Sequence, residues 1–463
     1  MLFNSFIFIF VFLPILLFFS KIFEKHKIAN KWVLITGSLF FYGYWKASYL
    51  FILLGSVGLN YLLSTNIHSA VLNQEEKRSK HLLYFGISAN ILLIGFYKYL
   101  GFSFQIFSDL GFQVEIPKII LPLAISFFTF QQIAYLVDCY KQKVEPGKFH
   151  EYLMFVSFFP QLIAGPIVNF KDFYPQLKSF KILNPETTTI GLQFFIIGLF
   201  KKVVIADSLS STVARVFDTP ETLAAVSTAE AWISSLAYTF QLYFDFSGYA
   251  DMAVGLALIF GLKIPYNFNS PYKATSIQTF WRDWHMTLSA WFKEYVYFPL
   301  GGNRKGLKRT VFNLFIVAFI SGVWHGAAYG FIVWGVLHGL ALIFHRIWSK
   351  YTPFNLWAPI SWAFTFLFVH IAWVFFRAPE LATAHTILSK MFLGDTNMFS
   401  PATADYVMMG FLSVLLLICV AFPNSITIST KKYPLWVAPA FGVILFLAVG
   451  FMNRVSEFIY FQF

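Results

Sequence analysis

The chain has 463 residues, 58% of them hydrophobic and only 12% charged, with 34 Lys and Arg against 22 Asp and Glu for a formal net charge of +12. An ordinary soluble domain carries roughly 25% charged residues, so this composition excludes one. The basic residues are dispersed between apolar runs rather than gathered on one folded face, which argues against a nucleic-acid partner.

Apolar stretches close to the about 20 residues that cross a hydrocarbon core recur along the chain, at 3–20, 32–45, 48–66, 82–97, 117–138, 327–345, 358–376, 406–423 and 434–452. Continuous runs such as Ile7 to Phe19 contradict a β-barrel, whose strands alternate in polarity. The fold class is therefore an all-α polytopic membrane protein. Residues 188–263 thread in more than one way, so span length gives about ten to twelve transmembrane helices. No repeat, linker or low-complexity tail divides the sequence, and one membrane domain over 1–463 is expected.

Met1 to Ser5 carry no basic residue and no small-residue cleavage pattern follows Phe19, so the first run is expected to be retained as a helix. Lys21, Lys25, Lys27 and Lys31 follow it, which places that loop in the cytoplasm and the N-terminus outside an inner membrane. Lys77, Arg78 and Lys80 fall on the inside, Gly101 to Ile116 contain no Lys or Arg, and Lys141, Lys143 and Lys148 return to the inside. The charge thus reads mainly as topology, with basic surface left to meet anionic lipid headgroups or a phosphate-bearing donor. Cys139 and Cys419 have no metal or redox spacing and are expected to pack.

Between Phe155 and Ile167 the prolines Pro160 and Pro166 break a helix. Broken backbone at membrane depth needs protein or water around it, so a re-entrant segment is expected. Asp245 and Asp251 then lie in an apolar run and must be paired or neutral, bracing a cavity or holding a histidine's orientation. Thr275 with Gln278 fits a capping box, and Phe280, Trp284, Leu288 and Trp291 recur at helical spacing. An amphipathic helix is expected over 275–294, with Arg282, Asp283, Lys293 and Glu294 on its polar side, as an interfacial anchor or a cavity wall. Gly301 to Gly306 lack the spacing of a P-loop or dinucleotide motif. They read as a basic cytoplasmic turn whose Arg304 and Lys305 could contact the pyrophosphate of a donor.

Two segments carry the chemistry: Trp281-Arg282-Asp283-Trp284-His285 and Ser321-Gly322-Val323-Trp324-His325-Gly326. Ionisable groups at bilayer depth are costly and mark functional candidates, although some only join helices by hydrogen bonds. Burial favours the neutral imidazole, whose reference pKa of about 6.5 suits removal of a proton from a hydroxyl near neutral pH. That hydroxyl could then attack an acyl thioester. His325 is assigned as the base, at a solvated point reachable from both faces of the bilayer. His285 orients it or polarises the carbonyl. His338, His345 and His370 are read as packing or interhelical residues; His338 stands roughly 140° around a helix from His325. No serine-nucleophile motif and no His-Glu-x-x-His pair for zinc is present, and no bound metal or cofactor is expected.

Several stretches together resemble a known family: Leu121 to Gln131, Phe159-Pro160-Gln161 to Gly165-Pro166, Tyr243 to Tyr249, Pro265-Tyr266-Asn267-Phe268, Trp281 to His285, Phe298 to Asn303, Trp324-His325-Gly326 and Tyr460 to Phe463. Their order is similar to that of the membrane-bound O-acyltransferases, within the bacterial branch that acetylates alginate and other polysaccharides. The resemblance covers most of the chain. It implies helices around a central tunnel, with the family's invariant histidine at His325 and its second polar position at His285. Trp324, Arg282, Asp283, Trp284, Asp245 and Asn267 are expected to support or line that tunnel. It further implies transfer of acetyl from a cytoplasmic donor, acetyl-CoA, to a separate periplasmic acetyltransferase of the SGNH or alginate-acetylation type, which modifies a polysaccharide acceptor. D-alanyl transfer to teichoic acid is the alternative within the family, and a multi-span transporter the alternative from another class.

Overall fold

The computed structural model describes residues 1–219, 223, 225–352, 356–394, 403–454 and 458–459; the Tyr460 to Phe463 motif lies outside them. Among the described residues there are helices of α, 3-10 and π type and no strand, as expected where a hydrocarbon surround leaves the backbone to satisfy itself. Among the described residues, seven helices are long and apolar enough to cross a membrane: Tyr49–Leu72, Glu76–Asp109, Pro185–Phe217, Thr228–Ile259, Gly306–His325, Tyr329–Tyr351 and Ala358–Arg377. Shorter apolar helices cover Phe8–Ile22, Asp405–Ala421 and Ala438–Phe451. By contacts the chain forms two compact units, Met1–Ile197 with Tyr249–Tyr266, and Gly198–Gly248 with Asn267–Phe463.

In the first unit, Tyr49–Leu72, Glu76–Ile94 and Ile125–Tyr140 pack around Leu63, Ile67, Leu83 and Leu136. Asn60 and Asn90 exchange side-chain hydrogen bonds of 3.3 and 2.7 Å between two of these helices, polar groups joined where lipid offers them nothing. The apolar run 117–138 is not one span: its helix begins only at Ile125, after Ala124 in the left-handed region at φ 64°. Pro117 and Pro122 deny the preceding residues a helical ladder. Tyr42 and Tyr49 hydroxyls instead donate to the carbonyls of Leu123 and Leu121.

The expected break near Pro160 is present. Helices Phe149–Ser157 and Phe159–Leu162 meet at Phe158, where ψ is 109°, and residues 151–162 are buried throughout. The Phe159 N–H donates to Ser38 Oγ at 3.1 Å, and the Gln161 amide donates to the Phe155 carbonyl. The protein thus supplies the partners that the interrupted ladder has lost. Gly165 lies against Gln161 so closely that a Cβ there would sit 2.5 Å from the Gln161 Cα.

In the second unit, Gly306–His325 and Tyr329–Tyr351 pack closely along their length, joined by three residues. Small residues set that approach. A Cβ on Gly322 would come within 2.5 Å of the Phe331 carbonyl and 2.8 Å of the Gly335 Cα, and one on Gly335 within 2.9 Å of the Ala318 carbonyl. His325 ends the first helix of this pair, so the glycine contact fixes where its imidazole lies. Gly322→Val is expected to force the pair apart at an overpacking cost of about 1–3 kcal/mol, seen as a lower thermal midpoint of the detergent-solubilised protein.

Candidate active site

The stretch 275–294 is not one amphipathic helix. It divides into Ile277–Asp283 and Met286–Phe292. The first is capped by Ser276 with Thr279 rather than by Thr275 with Gln278. At the break, His285 adopts left-handed backbone angles of φ 43° and ψ 54°, costly for a side chain with a Cβ. Asn267 holds it there. Its carbonyl accepts the Met286 N–H at 2.9 Å, and its side-chain Oδ1 accepts the Thr287 N–H at 3.2 Å and the Thr287 hydroxyl at 2.9 Å.

The same Oδ1 lies 3.1 Å from His285 Nδ1. An amide oxygen only accepts, so Nδ1 carries the proton and the lone pair sits on Nε2. His285 is fully buried, and burial pushes its pKa down to about 3. The ring is neutral with its lone pair on Nε2, flanked edge-on by Phe246 at 4.8 Å and by Trp324 at 6.3 Å between centroids.

His325 is 3% exposed and enclosed by aromatic rings: Trp324 at 4.9 Å, Trp334 at 5.0 Å and Phe376 at 5.3 Å, each nearly edge-on. Gly326 lets the chain turn beneath the Phe331 ring, which a Cβ would strike at 2.0 Å. Trp324 thus stands between the two histidines, and the candidate pair is brought together around one indole. The expectation of a solvated His325 is not met in this structure, because aromatic packing surrounds the ring.

A cavity of about 460 Å³ in the same unit is lined by Trp281, Arg282, Met286, Lys293, Tyr297 and Ser321, among others. Ser321 lies one helical turn before His325 on the same face, so the cavity ends one turn short of that imidazole. Its charged lining is Arg282 and Lys293, both exposed. Arg304 and Lys305 lie on an exposed turn with Gly301, Gly302 and Gly306 in the left-handed region at φ 102°, 57° and 79°. Asn313 pins that turn by donating to the Gly302 carbonyl at 2.9 Å. Neither basic residue lines the cavity. Asp283 is half-buried and accepts from the Asn269 amide at 3.2 Å; burial raises its carboxyl pKa. Trp284 is buried between Phe280 and Trp373.

Asp245 does not orient a histidine. With Asp207 it flanks Lys202, whose Nζ lies 2.7 Å from an oxygen of each, all three nearly inaccessible. Its other oxygen accepts the Ile459 N–H at 3.0 Å, and Phe458 packs against Phe246. Lys202 and Asp207 gave no sequence signal, because a lone Lys-Lys beside an apolar run reads as a loop charge. Asp251 is buried on the other unit's part of the Thr228–Ile259 helix. The remaining histidines are placed as expected. His338 accepts from Trp281 Nε1 at 3.1 Å, His345 pairs with Gln278 at 3.2 Å, and His370 joins Thr239 and Ser235 at 2.8 and 3.3 Å. Among the described residues no group of His, Cys, Asp and Glu could hold a metal ion.

Comparison with known proteins matches residues 15–379 to the family described as MBOAT, membrane-bound O-acyltransferase family. A Helicobacter pylori protein named peptidoglycan O-acetyltransferase is 40% identical over 521 aligned positions, covering 100% of this chain and 98% of its own length. A Pseudomonas putida protein named probable alginate O-acetylase AlgI is 37% identical, with 85% of this chain and 81% of that one covered. A Bacillus subtilis teichoic acid D-alanyltransferase is 28% identical, with 55% and 66% covered.

Lys202→Met should strand two buried carboxylates and cost about 3–5 kcal/mol; adding Asp245→Asn should recover part of the loss, read as the yield and thermal midpoint of folded protein. For His285, the unfolded chain binds a proton near pH 6.5 that the native ring refuses until about pH 3. Its contribution to stability is therefore present above about pH 6.5 and lost as pH falls toward 3. His285→Asn should flatten the acid side of the thermal-midpoint profile within that window.

Proposed function

The chain belongs to the membrane-bound O-acyltransferase family and is an O-acyltransferase, and from that premise we infer that it takes acetyl from a cytoplasmic donor, acetyl-CoA, for O-acetylation of an extracytoplasmic polysaccharide. The polysaccharide is peptidoglycan in this reading, because the Helicobacter pylori relative so named aligns over the whole chain. Alginate, the acceptor named for the Pseudomonas putida relative, takes second place. The protein lies in the inner membrane with its N-terminus outside, as its loop charges direct. It passes acetyl to a separate periplasmic acetyltransferase of the SGNH type.

The observation that carries this reading is a pair of buried imidazoles sharing one indole, next to a cavity with cationic residues in its lining. Arg282 and Lys293 suit the phosphates of a CoA donor, and a cavity of about 460 Å³ has room for a slender thioester arm. His325 takes the proton of the acceptor hydroxyl as that oxygen attacks the thioester carbonyl. It returns the proton to the leaving thiolate, so no net charge crosses the site. His285, with its lone pair on Nε2 set by Asn267, supports this exchange across Trp324. The enclosing rings have to part for substrate to reach His325, and they keep bulk water from hydrolysing the thioester.

D-alanyl transfer to teichoic acid is the second reading, since a Bacillus subtilis protein of that name aligns over about half of the chain. Supplying membranes with acetyl-CoA or with an aminoacylated carrier protein separates the two by which acyl group is consumed. His325→Ala is expected to leave the protein at normal abundance and to lower acetyl transfer by about 10²–10⁴-fold. Acetate released by mild base from purified peptidoglycan should then fall to background. His285→Ala should give a smaller but severe loss, and wild-type ester content in the His325 variant would refute the assignment.

A further inference from the structure

The buried N–H donors of the second unit that show no hydrogen-bond partner among the described residues include Nε2 of His338, 0% exposed, and Nε1 of Trp334, 1% exposed. Trp281 decides the tautomer of His338. An indole N–H can only donate, and it donates to His338 Nδ1 at 3.1 Å. That nitrogen therefore carries the lone pair, the ring is neutral, and the proton stands on Nε2. The Trp334 indole lies beside it, with ring centroids 4.6 Å apart and planes tilted 59°. Trp334 in turn meets His325 edge-on at 5.0 Å.

Leaving one buried donor unmade costs about 1–3 kcal/mol, and two such donors side by side call for a reason. These two nitrogens offer donors and no acceptor. Their complement is an acceptor oxygen; a cation or an amine finds nothing there. Aromatic rings fill the surroundings, with Phe368, Trp373 and Phe376 in contact with one or both, so a hydrogen bond made there is strengthened by the low local dielectric.

We propose that Trp334 Nε1–H and His338 Nε2–H clamp the carbonyl oxygen of the acyl group during its transfer at His325, a role that rests on the O-acyltransferase reading above. As the acceptor oxygen bonds to the carbonyl carbon, His325 takes the hydroxyl proton and the carbonyl π electrons move onto oxygen. The two N–H groups stabilise that oxyanion. Collapse restores the C=O bond and breaks the C–S bond, and the thiolate leaves with the proton from His325. Trp281 is the positioning residue: it lines the donor cavity on one face and fixes the donor tautomer of His338 on the other.

Trp334→Phe keeps an aromatic ring against His325 and Phe376 and removes the N–H. His338→Leu removes the second donor, and His338→Gln restores an amide N–H at its place. With purified protein in lipid nanodiscs, acetyl-CoA and acceptor, Trp334→Phe and His338→Leu should each lower kcat by about 10²–10³-fold, with KM for acetyl-CoA unchanged. His338→Gln should recover most of that loss. In a His325→Ala background, which holds the donor without turnover, [1-13C]acetyl-CoA should show a carbonyl band shifted to lower wavenumber, and Trp334→Phe should abolish the shift. If His338→Leu does not accumulate, Trp334→Phe and the infrared band carry the test. Wild-type kcat in both deletions with an unmoved band would overturn the clamp and leave the two donors to a structural water. A wild-type protein inactive with acetyl-CoA would overturn the functional reading, and the clamp with it.

Discussion

A polar group that this chain carries into its apolar interior is costly unless the chain itself supplies its partner, because a hydrocarbon surround supplies none. That constraint explains the local irregularities. The Asn60–Asn90 exchange joins two helices, Ser38 takes up the N–H released at the Phe158 break, and tyrosine hydroxyls satisfy the carbonyls before Ala124. The Lys202 ammonium between Asp207 and Asp245 is the extreme case. Its desolvation is offset by two short ion pairs, with the Ile459 amide on the remaining Asp245 oxygen.

The same rule separates the histidines into kinds. Each of His285 and His338 has one nitrogen whose partner's chemistry is unambiguous, an amide oxygen in one case and an indole N–H in the other. Opposite tautomers result: His285 presents a lone pair on Nε2, and His338 presents an N–H. His370 is tied at both nitrogens to hydroxyls of the neighbouring helix, which accounts for its whole hydrogen-bonding capacity and leaves it a purely structural reading. A lone pair and an N–H at Nε2 arise from one residue type because the partner of a single nitrogen differs.

Strain and close packing then place these groups. His285 sits in left-handed backbone that the three bonds to Asn267 around it help to hold. His325 ends a helix whose approach to its neighbour is set by Gly322 and Gly335. Loss of either support would move an imidazole without touching it.

Membrane character, helical class and family were legible in the sequence. Hydropathy and chain length act locally, and the Trp-His segments stand out against an apolar background. The break near Pro160 was legible for the same reason, since proline acts on its own turn. The helix expected over 275–294 and the span expected over 117–138 misled, because spacing reports which residues are apolar but not whether a distant Asn267 or Tyr42 will claim the backbone between them. Tertiary structure alone decided that Asp245 pairs with Lys202, that His325 is enclosed rather than solvated, and which nitrogen of His285 and of His338 bears the proton. Those outcomes depend on partners tens to hundreds of residues away, and a side chain's chemical state inside a membrane protein is set by what faces it in space.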